Sequence, residues 1–345
     1  MEEKAAKKKK SILGPILAFV FGTVLCFCIV LLGVVWVLLK GPSPSATELF
    51  CRTVQETSAL RWVPGIFLTE EERDAIRAER TEDLATKEID VSLIHLDEIP
   101  VAEDEDEPGV ELIEIASGNC RGKMLIVRDP KRVMLGVAEP LGKVPGLSLI
   151  EMADKYSGIA ATNAGGFVDD GGRGNGGIPT GLVISGGELL WGSPSLSYHV
   201  VGLDENGILI VGKMTGQEAL DRKILWGVSF VTHDGIASSL VINGEIQTQN
   251  LSGGVNPRTA IGQREDGAIL LLVLDGRSIT TLGATLENVC DVMLSYGAVT
   301  VGNLDGGSSS LMVYEGEIVN TCSSITGPRS VPTAFVVLRE VPDEN

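Results

Sequence analysis

Hydrophobic positions along this chain fall into three regimes. Residues 16–39 are apolar apart from glycine and Thr23 and carry no charge, a run about as long as the ~20 residues that cross a bilayer. Residues 41–108 are sparser. Thr69-Glu70-Glu71-Glu72 matches a capping box, in which the Thr oxygen accepts an early helix N–H and the glutamate reaches back; the helix it opens runs to about residue 87, charged and without an evident core of its own. Glu103-Asp104-Glu105-Asp106-Glu107 then places five like charges in a row, which reads as a self-repelling linker.

From residue 110 onward, short apolar runs alternate with turn signals. Strands are expected at 110–115, 123–127, 133–137, 269–274, 299–304 and 311–314. Asn206-Gly207 and Asn243-Gly244 precede apolar runs, and both residues of such a pair tolerate positive φ, so each marks a hairpin. Two helices interrupt: Ser148-Leu149-Ile150-Glu151 is a second capping box, and Leu286, Val289, Cys290, Met293 and Leu294 recur at helical spacing before Gly297. The pattern is α+β, a β-rich single catalytic domain with a few packed helices, preceded by one transmembrane helix and a charged spacer. Its boundaries read as a basic tail at 1–11, a signal-anchor helix at 12–40, a spacer at 41–109 and the domain at 110–340.

Charge refines this picture. Lysines concentrated before the apolar run place the N-terminus in the cytoplasm and the rest outside the cell membrane. A cleavable signal peptide is the alternative, but residues 38–42 make a poor cleavage site. Residues 1–40 carry six lysines and two glutamates, so the net charge of -18 leaves -22 on the remainder. Such an exterior argues against nucleic acid as a partner and obliges any anion site to bring its own cations. Cys51, Cys120, Cys290 and Cys322 lie outside the span without metal-type spacing, and no bridge is assigned.

Candidate chemistry gathers at strand ends. Asp275-Gly276-Arg277 follows the 269–274 run; Asn303-Leu304-Asp305-Gly306-Gly307-Ser308-Ser309 closes the 299–304 run. A carboxylate at a strand terminus is rigidly held while facing a cleft, as an acid or base requires. Glycine-freed amides and serine hydroxyls suit an anion. Asn256-Pro257-Arg258-Thr259 and Arg329 offer guanidinium groups, which pair with phosphate in a planar fork, and Asn163-Ala164-Gly165-Gly166 delivers an asparagine into a glycine turn. Asp305 and Asp275 are the candidate catalytic pair. Asn163, Gly165, Gly166, Asn256, Arg258, Thr259, Arg277, Asn303, Gly306, Gly307, Ser308, Ser309 and Arg329 are the candidate substrate contacts. The glycine run at 172–177 lacks the leading strand of a dinucleotide fingerprint, and no Gly-x-Ser-x-Gly elbow is present.

Taken together, these segments resemble the phosphodiester glycosidase family over residues 110–338. The resemblance implies hydrolysis of a sugar-1-phosphodiester between anomeric carbon and oxygen, in a bacterial cell-surface or exopolysaccharide glycan, with Asp305 as nucleophile or base and Asp275 its partner. The chain departs at Ala164, where a glycine is expected, and at Ser308, where many relatives carry a third glycine. No cofactor is assigned on this reading. Two alternatives remain open: a divalent cation held by Asp275, Asp305 and Asn303 in a phosphodiesterase, and a non-catalytic module that binds a phosphosugar wall polymer.

Overall fold

A computed structural model describes residues 13–55, 60, 62–78, 88–96, 109–169, 174–230, 238–247, 251, 254–276, 281–324 and 327–341. The acidic run at 103–107 and Arg277 lie outside them. Three helices come first: α1 (Leu13–Lys40), α2 (Pro44–Gln55) and α3 (Glu70–Ala78). The strands β1 (Val110–Ser117), β2 (Cys120–Val127) and β3 (Val133–Val137) lead into α4 (Leu149–Lys155) and β4 (Gly158–Asn163). Next come β5 (Val183–Ser185), β6 (Glu188–Trp191), β7 (Ser197–Asp204), β8 (Leu209–Thr215), α5 (Gly216–Asp221) and β9 (Ile224–Ser229). The remainder is β10 (Ser239–Ile242), β11 (Glu245–Ile246), β12 (Arg258–Arg264), β13 (Ile269–Leu274), α6 (Leu286–Ser295), β14 (Ala298–Asn303), β15 (Met312–Tyr314), β16 (Glu317–Ile318) and β17 (Thr333–Leu338).

These strands form three antiparallel sheets, ordered β1-β2-β13-β12-β14-β10-β11, β16-β15-β4-β17-β3 and β6-β5-β9-β7-β8. Their inner faces share one core, in which Leu271 and Val273 of the first sheet meet Leu135 and Phe335 of the second and Val201 and Val228 of the third. Each outer face is covered by its own helix. Leu270, Leu272 and Leu274 pack with Val289 and Met293 of α6, Val313 and Val336 with Met152 of α4, and Ile184 and Ile210 with Ala219 of α5. Successive strand residues point to opposite faces, so β13, covered on both, is buried at every position and reads as a continuous apolar run. Truncating Leu271 to Ala would cost roughly 2–5 kcal/mol.

The helix starts follow from their caps. Ser148 and Glu151 bond each other's backbone N–H at the start of α4. Thr215 with Glu218 does the same for α5, and Thr285 with Asn288 for α6. The Asn206-Gly207 and Asn243-Gly244 turns join β7 to β8 and β10 to β11. None of Cys51, Cys120, Cys290 and Cys322 is in a disulfide.

The segment that follows α1 differs from the solvated spacer read in the sequence. Its α3 capping box forms, but α2 was not foreseen, and the segment has a small core of Leu39, Cys51 and Leu68 flanked by Val35, Phe50, Phe67 and Ile76. Charges hid this helix. Arg52 is buried, yet it pairs with Glu48 one turn away at 2.7 Å and donates to the Ile76 carbonyl at 3.1 Å, so a residue that looks solvated is accommodated inside. Residues 88–96 are also tied to the sheets. Asn243 Oδ1 accepts the Asp90 N–H at 2.9 Å, and the His95 N–H donates to the Glu265 carbonyl at 2.7 Å.

Candidate active site

Six strand termini meet at one end of the sheets: the ends of β4, β13 and β14 and the starts of β12, β15 and β17. The antiparallel registers dictate this, since Arg258 faces Leu274, Ala260 faces Asn303, Met312 faces Thr162 and Ala334 faces Asn163. Residues separated by more than a hundred positions therefore arrive together.

Asn163 is the hub. Its Nδ2 donates to the Asp305 carbonyl, while its Oδ1 accepts from Thr259 Oγ1 at 2.9 Å and from the Leu311 N–H at 3.1 Å. Thr259 Oγ1 lies 3.1 Å from Ser310 Oγ. Buried and multiply bonded, Asn163 and Thr259 brace the Asp305 loop, whereas the sequence suggested that they contact substrate. The loop is further fixed by the Asp305 N–H on the Ala164 carbonyl at 2.9 Å and the Gly307 N–H on the Pro257 carbonyl at 3.0 Å. Gly307, with φ 64, stands where a side chain would strain the backbone. Its amide is thus spent on the fold rather than turned toward an anion. Gly165 is similarly placed, its N–H donating to Thr333 Oγ1 at 3.2 Å, and Gly166 lies against Thr180.

Asp305 itself is half-buried. Burial pushes its carboxyl from the ordinary 3.8 up to about 7, the charge of Asp169 pushes the same way, and the Ser309 hydroxyl, the Gly306 N–H and the Arg329 guanidinium pull it back. Arg329 stands beside it. The guanidinium donates to Asp169 through both terminal nitrogens, at 2.8 and 3.0 Å, reaches Ser308 Oγ at 3.2 Å and stacks 5.4 Å from the Phe167 ring centroid. Asp169 and Phe167 were missed in the sequence. Their only signal was position, immediately after the Gly165-Gly166 turn.

The other candidates are held differently. Asp275 reaches the same end of the sheets, but its Oδ1 accepts from the Thr321 N–H at 2.9 Å and Asn320 Nδ2 at 3.3 Å. Asn320 in turn links to the Ser310 carbonyl and the Met312 N–H, so Asp275 joins the site through its scaffold. Arg258 is buried, with Nε donating to the Ala284 carbonyl at 3.1 Å and a terminal nitrogen to the Gly254 carbonyl; these bonds anchor the loop before β12. Asn256 bridges Ala284 through its backbone in both directions. Asn303 shares the face of β14 with Val301, which packs toward α6, and its buried amide has no hydrogen-bond partner among the described residues. Among the described residues, no group of three or more His, Cys, Asp or Glu is placed to hold a metal. A depression of about 620 Å³ lined by His95, Arg264, Asp266 and Tyr296 lies at the opposite end of β12 and β14, remote from Asp305.

The profile of the phosphodiester glycosidase family matches residues 156–338, which contain Asn163, Arg258, Asp275, Asp305 and Arg329. The chain belongs to this family. Its match starts in the turn after α4, later than the resemblance read from residue 110. N-acetylglucosamine-1-phosphodiester alpha-N-acetylglucosaminidase of Bos taurus is 28% identical over 187 residues, covering 50% of this chain and 34% of that protein. The SPbeta prophage-derived uncharacterized protein YomE of Bacillus subtilis is 28% identical over 184 residues, covering 51% and 27%. The chain thus spans well under half the length of these two curated relatives. The solved catalytic domain of the zebrafish N-acetylglucosamine-1-phosphodiester alpha-N-acetylglucosaminidase, auto-inhibited by its pro-peptide, superposes with a TM-score of 0.54 at 21% identity, over 68% of this chain and 85% of that one. That likeness establishes the family's fold here.

Proposed function

We propose that this chain is a membrane-anchored extracellular hydrolase that cleaves a sugar-1-phosphodiester in a cell-surface or exopolysaccharide glycan, at the bond between anomeric carbon and phosphate oxygen. One helix, 16–40, is long and apolar enough to cross a membrane. In this reading it anchors the protein with residues 1–11 in the cytoplasm, and residues 41–109 connect it to the catalytic domain at 110–340. The observation that carries the chemistry is Asp305, a carboxyl whose raised pKa of about 7 stands beside the Arg329 guanidinium at a braced strand end.

A phosphate leaving group departs readily, so the transition state needs its negative charge met and the oxocarbenium-like carbon met by water or a carboxylate. Arg329 and Ser308 supply the first, as fixed donors in a partly desolvated cleft. Asp305 supplies the second, as base toward water or as nucleophile. Asp169 holds the guanidinium plane in place until the phosphate competes for it. Asp275, through Asn320 and Ser310, is a positioning residue, and Arg258 with Asn256 sets the neighbouring loop.

N-Acetylglucosamine-1-phosphodiesters, suggested by the relatives' names, are the probes. Incubation with the full chain should release free sugar and a phosphomonoester in equal amounts, and Asp305→Asn should not. Binding without cleavage by the folded wild type would instead identify a phosphosugar-binding module.

A further inference from the structure

We propose that the candidate site opens toward the bilayer entered by α1, and that its substrate is a sugar-1-phosphodiester whose phosphate carries a lipid embedded in that same membrane. This rests on the glycosidase reading above and names its substrate class.

The first observation is a short, braced connection. α2 begins at Pro44, four residues after α1 ends at Lys40. The Thr47 hydroxyl donates to the Leu38 carbonyl at 2.9 Å, Lys40 pairs with Glu72 at 2.5 Å, and Leu39 is buried against Cys51 and Leu68. Six residues beyond Thr47, roughly 9 Å along the helix, Thr53 touches the catalytic domain. Its Oγ1 accepts the Val255 N–H at 3.0 Å, and a Cβ on Gly254 would fall 2.3 Å from the Thr53 Cα. Only glycine permits that approach. Gly254 is in the loop that also carries Pro257, whose carbonyl accepts the Gly307 N–H. One loop therefore touches the anchor module on one side and the Asp305 turn on the other.

The second observation is the set of exposed apolar side chains on the helices that follow α1 and on the loops beside the site. The anchor module exposes Leu49, Leu60, Ile66 and Trp62, the last 62% accessible. Leu282, 64% accessible, sits two residues before Ala284, which bridges Asn256 in the same loop. On the Arg329 side of the site, Val168 is exposed beside Asp169. Apolar side chains with a tryptophan, next to the exit of a membrane span, are what a lipid–water interface accommodates. A soluble sugar phosphate has no use for them, and the -22 charge beyond the span would not draw the domain to a lipid surface unaided.

In the reaction, water adds to the anomeric carbon and the bond to the phosphate oxygen breaks with its electron pair on the oxygen. The water proton passes to Asp305, and the lipid keeps a phosphomonoester while the sugar leaves.

The test uses the full chain reconstituted in phosphatidylcholine vesicles, with one sugar head presented as the phosphodiester of methanol or of a long-chain polyisoprenol. The isoprenyl substrate in the same vesicle should turn over at least about tenfold faster than the methyl one, as tethering in one surface raises effective concentration. The same lipid in separate vesicles should be spared. The pair Trp62→Glu and Ile66→Glu should lower lipid turnover at least about fivefold and leave methyl turnover, the folding control, intact. Equal rates for the two substrates, or equal cleavage in separate vesicles, overturn the proposal while the glycosidase reading stands. Cleavage of neither overturns both.

Discussion

The ends of β13 and β14 present the same short signature, a buried apolar strand followed by Asp-Gly, and the fold uses them in opposite ways. At the end of β13, Asp275 is given donors: a backbone N–H and an asparagine amide converge on its Oδ1, and Gly276 is packed so tightly that a Cβ would meet Ser323 and Pro257 within 2.4 and 2.5 Å. At the end of β14, Asp305 is desolvated and faces a second carboxylate, Asp169, with the Arg329 cation between opposing demands. A carboxylate held by its donors braces; one whose donors are outweighed by desolvation and a neighbouring carboxylate, so that it sits near neutrality, can exchange protons. Strand-end position alone therefore does not designate a catalytic acid. The neighbouring charges and the balance of desolvation against hydrogen bonds do.

Substitutions should separate the two aspartates. The largest effect expected is for Asp305→Asn, which should lower turnover of a sugar-1-phosphodiester on the order of 10³-fold with the fold retained by circular dichroism. Arg329→Met should follow, with a loss of roughly 10²-fold, since it removes the cation that Asp169 holds beside Asp305. Asp275→Ala should act mainly on stability, removing about 1–3 kcal/mol and less than about tenfold of activity, while Asp275→Asn, which keeps an acceptor for Thr321, should recover most of the melting temperature. A loss in Asp275→Asn equal to that in Asp305→Asn would erase the distinction drawn here.

Smaller effects concern pH. If Asp305 acts as base or nucleophile, kcat should rise as pH passes through about 7, where its carboxyl ionises. Asp169→Asn removes the charge that pushes this value up, so the midpoint should move to lower pH; an unmoved profile would detach Asp169 from the site. Stability should show the same group with the sign of a raised acid. Its folded-state value lies above the ordinary 3.8, so its contribution is complete below about that pH and is lost as pH rises through about 7. Asp305→Asn should thus raise the melting temperature at pH 8 by roughly 2–4 °C and change it little near pH 4.

Much of this was legible in the sequence because the relevant physics is local. The Ile269–Leu274 run is apolar at every position because two layers cover it, and the Ser148 and Asn243-Gly244 signals rest on caps and positive φ that a few residues decide. The convergence of Asn163, Thr259 and Asp305 was legible only as shared strand-end placement. What could not be read is where each polar side chain spends its hydrogen bonds. Arg258 resembles a phosphate ligand until the antiparallel Asn256–Ala284 bridge brings the Ala284 carbonyl to it and its own loop turns the Gly254 carbonyl onto it. Asp169 is one polar residue among several in its loop until Arg329 arrives from 160 positions away. The α2 helix escaped notice because Arg52 and Glu48 look solvated; they pair one turn apart within the helix, and Arg52 becomes buried only when the chain folds back on the α1 exit.

The central claim is that the bond broken lies on the sugar side of the phosphate oxygen. Hydrolysis of a defined N-acetylglucosamine-1-phosphodiester in ¹⁸O-water, with mass analysis of both products and Asp305→Asn as the blank, tests it directly. The account predicts the heavy oxygen at the anomeric carbon of the released sugar. Label in the phosphomonoester would mean attack at phosphorus, and the glycosidase assignment of this site would be wrong.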